Sequence, residues 1–380
     1  MFNLFLNRYY AKLDQPLDSV IHFKKAAELL SDTDPAMMQI ATLNELALAQ
    51  LDAGRLDEAI NVSQRAIKLA GNNDHPILES TAWTTLGQVY SNLYSFDKAA
   101  VAFQHAIEMA DIANVTREKV IAGFGLTGVY KQQGNYYAAD DMLKTLLKLV
   151  GSERPLQQLA LINLGQLHTE LGDYNQAINY FRQNLSIAET DPDRSVIIDA
   201  LLKLGNVYFD GGFYTNAIHQ YQLALDQSKI NKHLSQQVTT MANLAWANRA
   251  VGNISLAKTY ADQSVQLSSQ VSDSWVKAES LHALAQLQIY TRDSGAIDTA
   301  ETLYELSKNT DDFPINTAME ILGSAYEQAG NYAKAIELYQ QALSLVRDQS
   351  DRPMEGSTLD TIGTAYQNFG DHKEAESAFR

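Results

Sequence analysis

Histidines, paired carboxylates and one cluster of glycines are the residues of this 380-residue chain whose types could carry chemistry. The histidines are His22, His75, His105, His168, His219, His233, His282 and His372. A metal site on a helix needs two such groups on one face, three or four residues apart, and no two of these have that spacing. His168 is expected to pack, and His282 to make a polar contact at most. Gly123-Phe124-Gly125-Leu126-Thr127-Gly128 spells G-x-G-x-x-G, which cradles a pyrophosphate only between a strand and a helix. Here it lies inside a helical pattern, so it reads as three glycines that each weaken a helix by about 1 kcal/mol. Asp140-Asp141 and Asp311-Asp312 are expected to be solvated. There is no cysteine, which excludes thiolate metal sites, disulfides and a catalytic thiol. Neither H-E-x-x-H, nor a P-loop, nor G-x-S-x-G occurs. The expectation is a protein that is not an enzyme and that uses no cofactor and no metal.

Composition narrows the partners. Lys and Arg number 29 against 45 Asp and Glu, a net charge of −16. That balance argues against nucleic acid and against anionic membranes, both of which call for a basic surface. At 46% hydrophobic residues the chain can fold. No run reaches the roughly 18 apolar residues of a membrane span, and the first residues are too polar for a secretion signal, so a cytoplasmic location is expected. Proline and glycine together number 27, well below ordinary usage, which points to helices.

The breakers that do occur keep time. A turn residue falls at Asp14, Gly54, Tyr94, Gly134, Gly172, Gly212, Gly252, Arg292, Gly330 and Gly370, at intervals of 38 or 40 residues. Before most turns stands a small residue (Ala47, Gly87, Gly165, Gly205, Ala245, Ala285, Gly323, Gly363), and after most an alanine (Ala59, Ala99, Ala139, Ala177, Ala217, Ala257, Ala335, Ala375). Apolar residues on both sides follow helical spacing, as in Leu201, Leu204, Val207 and Tyr208. Each unit is therefore read as helix, tight turn, helix. The small columns let backbones approach, and Phe103, Phe181, Tyr221, Tyr339 and Phe379 fill the space between pairs. Six prolines (Pro35, Pro76, Pro155, Pro192, Pro314, Pro353) lie between units, where a helix start tolerates them. Asp34, Asp191 and Thr116 are candidate N-caps. The ruler divides residues 1–380 into one solenoid with units near 1–39, 40–79, 80–119, 120–157, 158–197, 198–237, 238–277, an irregular 278–315, 316–355 and a partial 356–380. In the irregular unit the alanine and aromatic columns return three residues late, at Ala300 and Tyr304. No capping helix is readable after Phe379, so the chain is expected to belong to a longer array or multidomain protein, with self-association through uncapped ends open to it.

Trp83-x-x-Leu86-Gly87-x-x-Tyr90, followed by Phe96, Ala99, Phe103 and Ala106, resembles the tetratricopeptide repeat motif over essentially the whole chain. The period is longer than the usual 34. It is similar to the long-helix variants of kinesin light chain, Pins-type polarity scaffolds and bacterial arrays that precede CHAT protease-like domains. The resemblance implies an all-α solenoid of stacked antiparallel helix pairs in a right-handed superhelix. It further implies a protein- or peptide-binding scaffold, or alternatively the regulatory or sensor arm of a larger signalling, transcription-regulator or CHAT protease-like protein.

In such a stack the first helices line the concave side. By helical spacing, the candidate peptide-binding groove is Gln88, Phe124, Lys131, Gln166, Asn206, Phe209, Trp246, Arg249 and Gln286. Amides suit a peptide backbone, aromatic rings suit apolar side chains, and Lys131 and Arg249 suit an acidic group. The Lys/Arg constellation of the family's carboxylate-clamp members does not occur in the first three units, which argues against binding chaperone tails.

Overall fold

The structure, a computed structural model, describes residues 16–31, 33–310, 312–348 and 352–379. The ruler position at Asp14, the carboxylate of Asp311 and both chain ends lie outside the described residues. The chain forms two compact units, Met1–Leu171 and Gly172–Arg380. The first holds α1 (Pro16–Leu29), α2 (Ala36–Asp52), α3 (Leu56–Asn72), α4 (Pro76–Asn92), α5 (Phe96–Ile112), α6 (Thr116–Gln132), α7 (Tyr136–Leu149) and α8 (Arg154–Glu170). The second holds α9 (Tyr174–Ala188), α10 (Arg194–Asp210), α11 (Tyr214–Ile230), α12 (Leu234–Ala250), α13 (Ile254–Ser268), α14 (Ser274–Thr291), α15 (Ala296–Asn309), α16 (Ile315–Gln328), α17 (Tyr332–Asp348), α18 (Arg352–Phe369) and α19 (His372–Phe379). No strand occurs among the described residues. No helix among them is long and apolar enough to cross a membrane. Each unit is an α-solenoid of stacked antiparallel helix pairs.

The nine ruler positions within the described residues all take a left-handed φ, from 55° at Tyr94 and Arg292 to 90° at Gly370. The hydrogen bonding explains why. At Gly212 the chain leaves α10 with the Gly212 N–H on the Phe209 carbonyl (2.9 Å) and the Phe213 N–H on the Tyr208 carbonyl (2.7 Å). This closes the helix end with a left-handed residue that glycine adopts without strain. A second set of left-handed residues, Asp74, Asn114, Gly151 and Lys232, closes the other turn, from one pair to the next. In the irregular unit, the helix after Arg292 resumes only at Ala296. Asp293 holds the longer turn by accepting from the Gly295 N–H (3.0 Å) and pairing with Lys258 (2.9 Å). Ala300 is nonetheless fully buried, so the extra residues are absorbed in the turn.

The capping expectations need correction. Asp34 binds the Ser31 N–H and hydroxyl, holding the turn before α2, whose N-cap is Pro35. Asp193, not Asp191, caps α10, accepting from the Ser195 N–H at 2.9 Å. Thr116 lies within α6, and Val115 before it makes no side-chain cap.

The core is built on close approach between a small residue of one helix and a ring of the next. A Cβ added to Gly205 would stand 2.4 Å from the Tyr221 ring; at Gly323, 2.5 Å from Tyr339; at Gly363, 2.5 Å from Phe379; at Gly87, 2.9 Å from Phe103. At two alanines of the small column, Ala47 and Ala245, the facing position sixteen residues on is a buried Ser63 or Ala261; in the irregular unit, sixteen residues after Ala285 stands the exposed Glu301. In these regular pairs, ring size and backbone bulk are thus matched. Gly123 and Gly125 belong to the same packing. Their Cβ atoms would meet Leu146 at 2.7 Å and Phe103 at 2.3 Å. The reading of these two as mere helix-weakening residues is therefore corrected.

Gly205→Ala improves helix propensity but should destabilise the second unit by about 1–3 kcal/mol through overpacking. Adding Tyr221→Leu should recover part of that loss, so the two changes couple by more than about 0.5 kcal/mol. Urea unfolding midpoints of the singles and the double check this. Strictly additive effects rule the contact out as the reason for the glycine.

Candidate functional site

Each unit brings some of the expected groove residues together. In the first, α4 carries Gln88 and α6 carries Phe124, and both line one open cavity of about 650 Å³. Lys131, about two turns further along α6, is ion-paired with Glu170 of α8 at 2.7 Å, so its charge is already answered within the fold. Gln166 is exposed on α8 and does not line that cavity.

In the second unit, Asn206 and Phe209 of α10 and Trp246 of α12 line a cavity of about 280 Å³ with Asp210, Tyr221 and Asn243. The Asn206 carboxamide oxygen accepts from the Tyr221 hydroxyl at 2.8 Å and from the Asn243 amide at 3.4 Å. Burial pushes the Tyr221 hydroxyl pKa up, with Asp210 adding to it, so Tyr221 stays a donor. Burial also raises the pKa of Asp210. Phe209 is half-buried against Tyr214, edge to face at 5.3 Å.

Trp246 sits at one end of a chain of rings. His282 is 5.2 Å from it, Phe313 is 5.9 Å from His282, and Trp275 is 5.6 Å from Phe313. The Arg249 guanidinium lies 4.9 Å from the Trp246 ring and 5.4 Å from the Tyr290 ring, an arrangement in which ring faces attract a cation. Among the described residues no carboxylate pairs with Arg249, and its buried Nε has no hydrogen-bond partner. Burial, with Arg249 nearby, pulls the His282 pKa down to about 4. Burial pushes Glu279 the other way, opposed by its hydrogen bonds to Trp275 and Thr239. Gln286, on α14, is half-buried. Sequence spacing did not find Phe313, Trp275 or Tyr290, because they lie outside the helical face from which the groove residues were read. The one available signal was the apolar Phe313 in an otherwise polar linker.

The first unit holds a further groove that the sequence reading missed. It is about 510 Å³, walled by Ile67, Trp83, Tyr90 and Val101, with Lys68 and Lys98 beside them. Trp83 also stacks on His105 at 4.8 Å. Its signal was that Trp83 stands in a column otherwise filled by Leu, Met or Gly.

The remaining candidates resolve as packing. His168 is buried, with Nε2 3.2 Å from the Asp140 carboxylate, which also pairs with Lys144. Asp140 is therefore not a free, solvated acid as expected. Among the described residues no group of three His, Asp or Glu is placed to hold a metal. The arrangement offers ring faces, amides and a cation, which suit recognition.

A neutral imidazole held in the fold should make stability depend on pH. Because the folded-state pKa of His282 (about 4) lies below its ordinary 6.5, the unfolded chain binds more protons between those values. That stability is full above pH 6.5 and is lost as pH falls towards 4. Glu279, raised by burial, acts in the opposite sense at the acid end. Between pH 7 and 4.5 the melting temperature of His282→Gln should therefore fall less than that of the parent. Equal falls would mean that His282 does not titrate between the two states.

Sequence comparison matches the tetratricopeptide repeat at residues 40–73 and 80–111 and again at 125–190 and 314–380, more than half of the chain. KINESIN LIGHT CHAIN-RELATED 1 of Arabidopsis thaliana is 20% identical over 361 residues, covering 92% of this chain and 54% of that protein. The chain spans about half the length of the curated relatives it matches. Among solved structures, the apo form of RapI superposes with a TM-score of 0.63 at 16% identity, covering 92% of this chain and 98% of that one. A signal-transduction ATPase from Pyrococcus horikoshii with a tetratricopeptide repeat sensor superposes with a TM-score of 0.53 at 18% identity, covering 91% and 53%. These likenesses are of fold. The repeat matches over more than half of the chain, with the forty-residue ruler, the left-handed turns and the glycine–ring packing, place the chain in the tetratricopeptide repeat family.

Proposed function

We propose that the chain is a non-catalytic scaffold that binds a peptide or a segment of another protein on its first-helix faces, in the cytoplasm. Gln88, Phe124, Lys131, Gln166, Asn206, Phe209, Trp246, Arg249 and Gln286 are the residues proposed to form the binding surface. The observation that carries the reading is the stack of Arg249 on Trp246 and Tyr290, with no carboxylate partner among the described residues, beside the Asn206–Phe209 cavity. In a chain of net charge −16, a cation without a carboxylate partner on an aromatic floor suits an acidic group with an apolar neighbour. Trp246 and Phe209 act as anchors. The Asn206 amide nitrogen, whose oxygen is already engaged, is left to donate to a peptide carbonyl. A second reading, a sensor or regulatory arm of a larger protein, is favoured by the likeness to the Pyrococcus horikoshii ATPase, whose repeat is a sensor. It is compatible with the first, because such an arm also works by binding.

The test needs no known partner. Peptides selected from a displayed random library on the immobilised chain are titrated against the parent, Trp246→Ala and Glu327→Gln. Trp246→Ala should weaken them more than about tenfold, as loss of a central anchor does, with helical circular dichroism retained. Glu327→Gln should change little. Full retention by Trp246→Ala sinks the Trp246–Arg249 face of the second unit as the binding site.

A further inference from the structure

Gly128 is a glycine that the fold does not require. It lies within α6 and does not take a left-handed φ. A Cβ built on it meets nothing within 4 Å. Its two companions in the same glycine cluster differ. Gly123 and Gly125 are forced by Leu146 and the Phe103 ring, which their Cβ atoms would strike. A glycine inside a helix, neither turning the chain nor admitting a neighbour, only weakens that helix. At the same offset in the other units stand Leu48, Gln88, Gln166, Asn206, Trp246, Gln286, Ser324 and Thr364. The surface column is thus filled everywhere along the array except at Gly128.

What the missing side chain leaves is space. Gly128 lines the cavity of about 650 Å³ in the first unit, walled by the rings of Tyr94, Phe96, Phe103 and Phe124 with the amides of Gln88 and Gln132. None of the residues lining it is charged. Lys131, on the same helix, is held by Glu170 and does not line it. A carboxylate or an ammonium entering this cavity would lose water and find no countercharge. An aromatic ring would find edges and faces to pack on, and the amides beside it could bind the backbone that carries the ring.

We infer that Gly128 is a specificity-determining gap that admits an uncharged aromatic side chain of a bound peptide into the Phe96–Phe103–Phe124 cavity. The inference rests on the scaffold reading above and adds what this part of the surface selects. It differs from the Arg249 site of the second unit, which selects for charge.

Two probes test it, each on the full chain, its Gly128→Leu variant and its Gly128→Gln variant. Gln is the residue most often found at this offset. The first probe is the set of peptides selected from the displayed library. The second is N-acetyl-phenylalanine amide, followed by saturation-transfer NMR, with N-acetyl-aspartate amide as the control. Peptides held by the first unit should carry Phe, Tyr or Trp. They should bind both variants more than tenfold more weakly, and the phenylalanine signal should vanish in both. The melting temperature should hold or rise by about 1–2 °C, since each change improves helix propensity into open space. A fall in melting temperature in either variant means that packing requires the glycine, and overturns the inference. Selected peptides that bind parent and variants alike overturn it while leaving the scaffold reading intact. If no peptide binds the parent, the scaffold reading fails, and the amide probe alone decides the cavity. A phenylalanine signal lost on filling the gap then supports it, whereas a signal absent from the parent or unchanged in the variants overturns it.

Discussion

The contact between a helix backbone and the ring sixteen residues later fixes the rest of this structure. At Gly87, Gly205, Gly323 and Gly363 the ring lies so close that even a methyl group would collide with it. Such an approach sets the distance between the two helices of a pair, and the left-handed turn between them sets the direction. With both fixed, the alanine column that follows, from Ala59 through Ala375, falls in the packed interior, and those side chains are almost completely buried. Because each pair touches chiefly its neighbours, the same local solution can be repeated without any long-range pairing.

The fold was legible because these constraints are periodic and few residues satisfy them. A left-handed φ selects glycine strongly, so seven of the nine described ruler positions are glycines, and spacing finds Tyr94 and Arg292. The turns between pairs were less legible. Asp74, Asn114 and Lys232 take the same conformation without being glycine; Asn and Asp have a known tolerance for it, but Lys232 carries no such signal. Caps were misread for a related reason: Asp34 and Asp191 have the right chemistry one or two residues too early, and their carboxylates close the preceding turn instead.

The proposed binding surface was legible in position and not in state. Helical offsets identify the first-helix residues, and Gln88 and Phe124, or Asn206, Phe209 and Trp246, do share cavities within their units. Offsets say nothing of what else reaches the same place. Glu170 answers Lys131, Asp210 enters the cavity beside Asn206, and Tyr290 and Phe313 extend the aromatic floor under Arg249 and His282. Each of these partners comes from another offset or from a linker, where the repeat imposes no pattern.

The packing contact and the surface are also chemically coupled, because the small residue and the surface residue are adjacent in sequence. Where the ring is tyrosine, its hydroxyl passes the glycine and reaches the next residue. Tyr221 donates to Asn206, and Tyr339 lies 3.1 Å from the Ser324 hydroxyl while donating to Glu327. Where the ring is phenylalanine, as at Phe103, there is no hydroxyl to offer, and Gln88 is left to find its partners elsewhere. The choice between Tyr and Phe barely alters the packing, since the ring carbons make the contact in both cases. It does decide whether the neighbouring polar side chain is held in one orientation or stays adaptable. A tyrosine unit therefore presents a pre-oriented group, with less ordering to be done on binding. A phenylalanine unit presents a movable one. Within a single repeat plan, one oxygen atom in the core sets how rigidly the polar side chain above it is held.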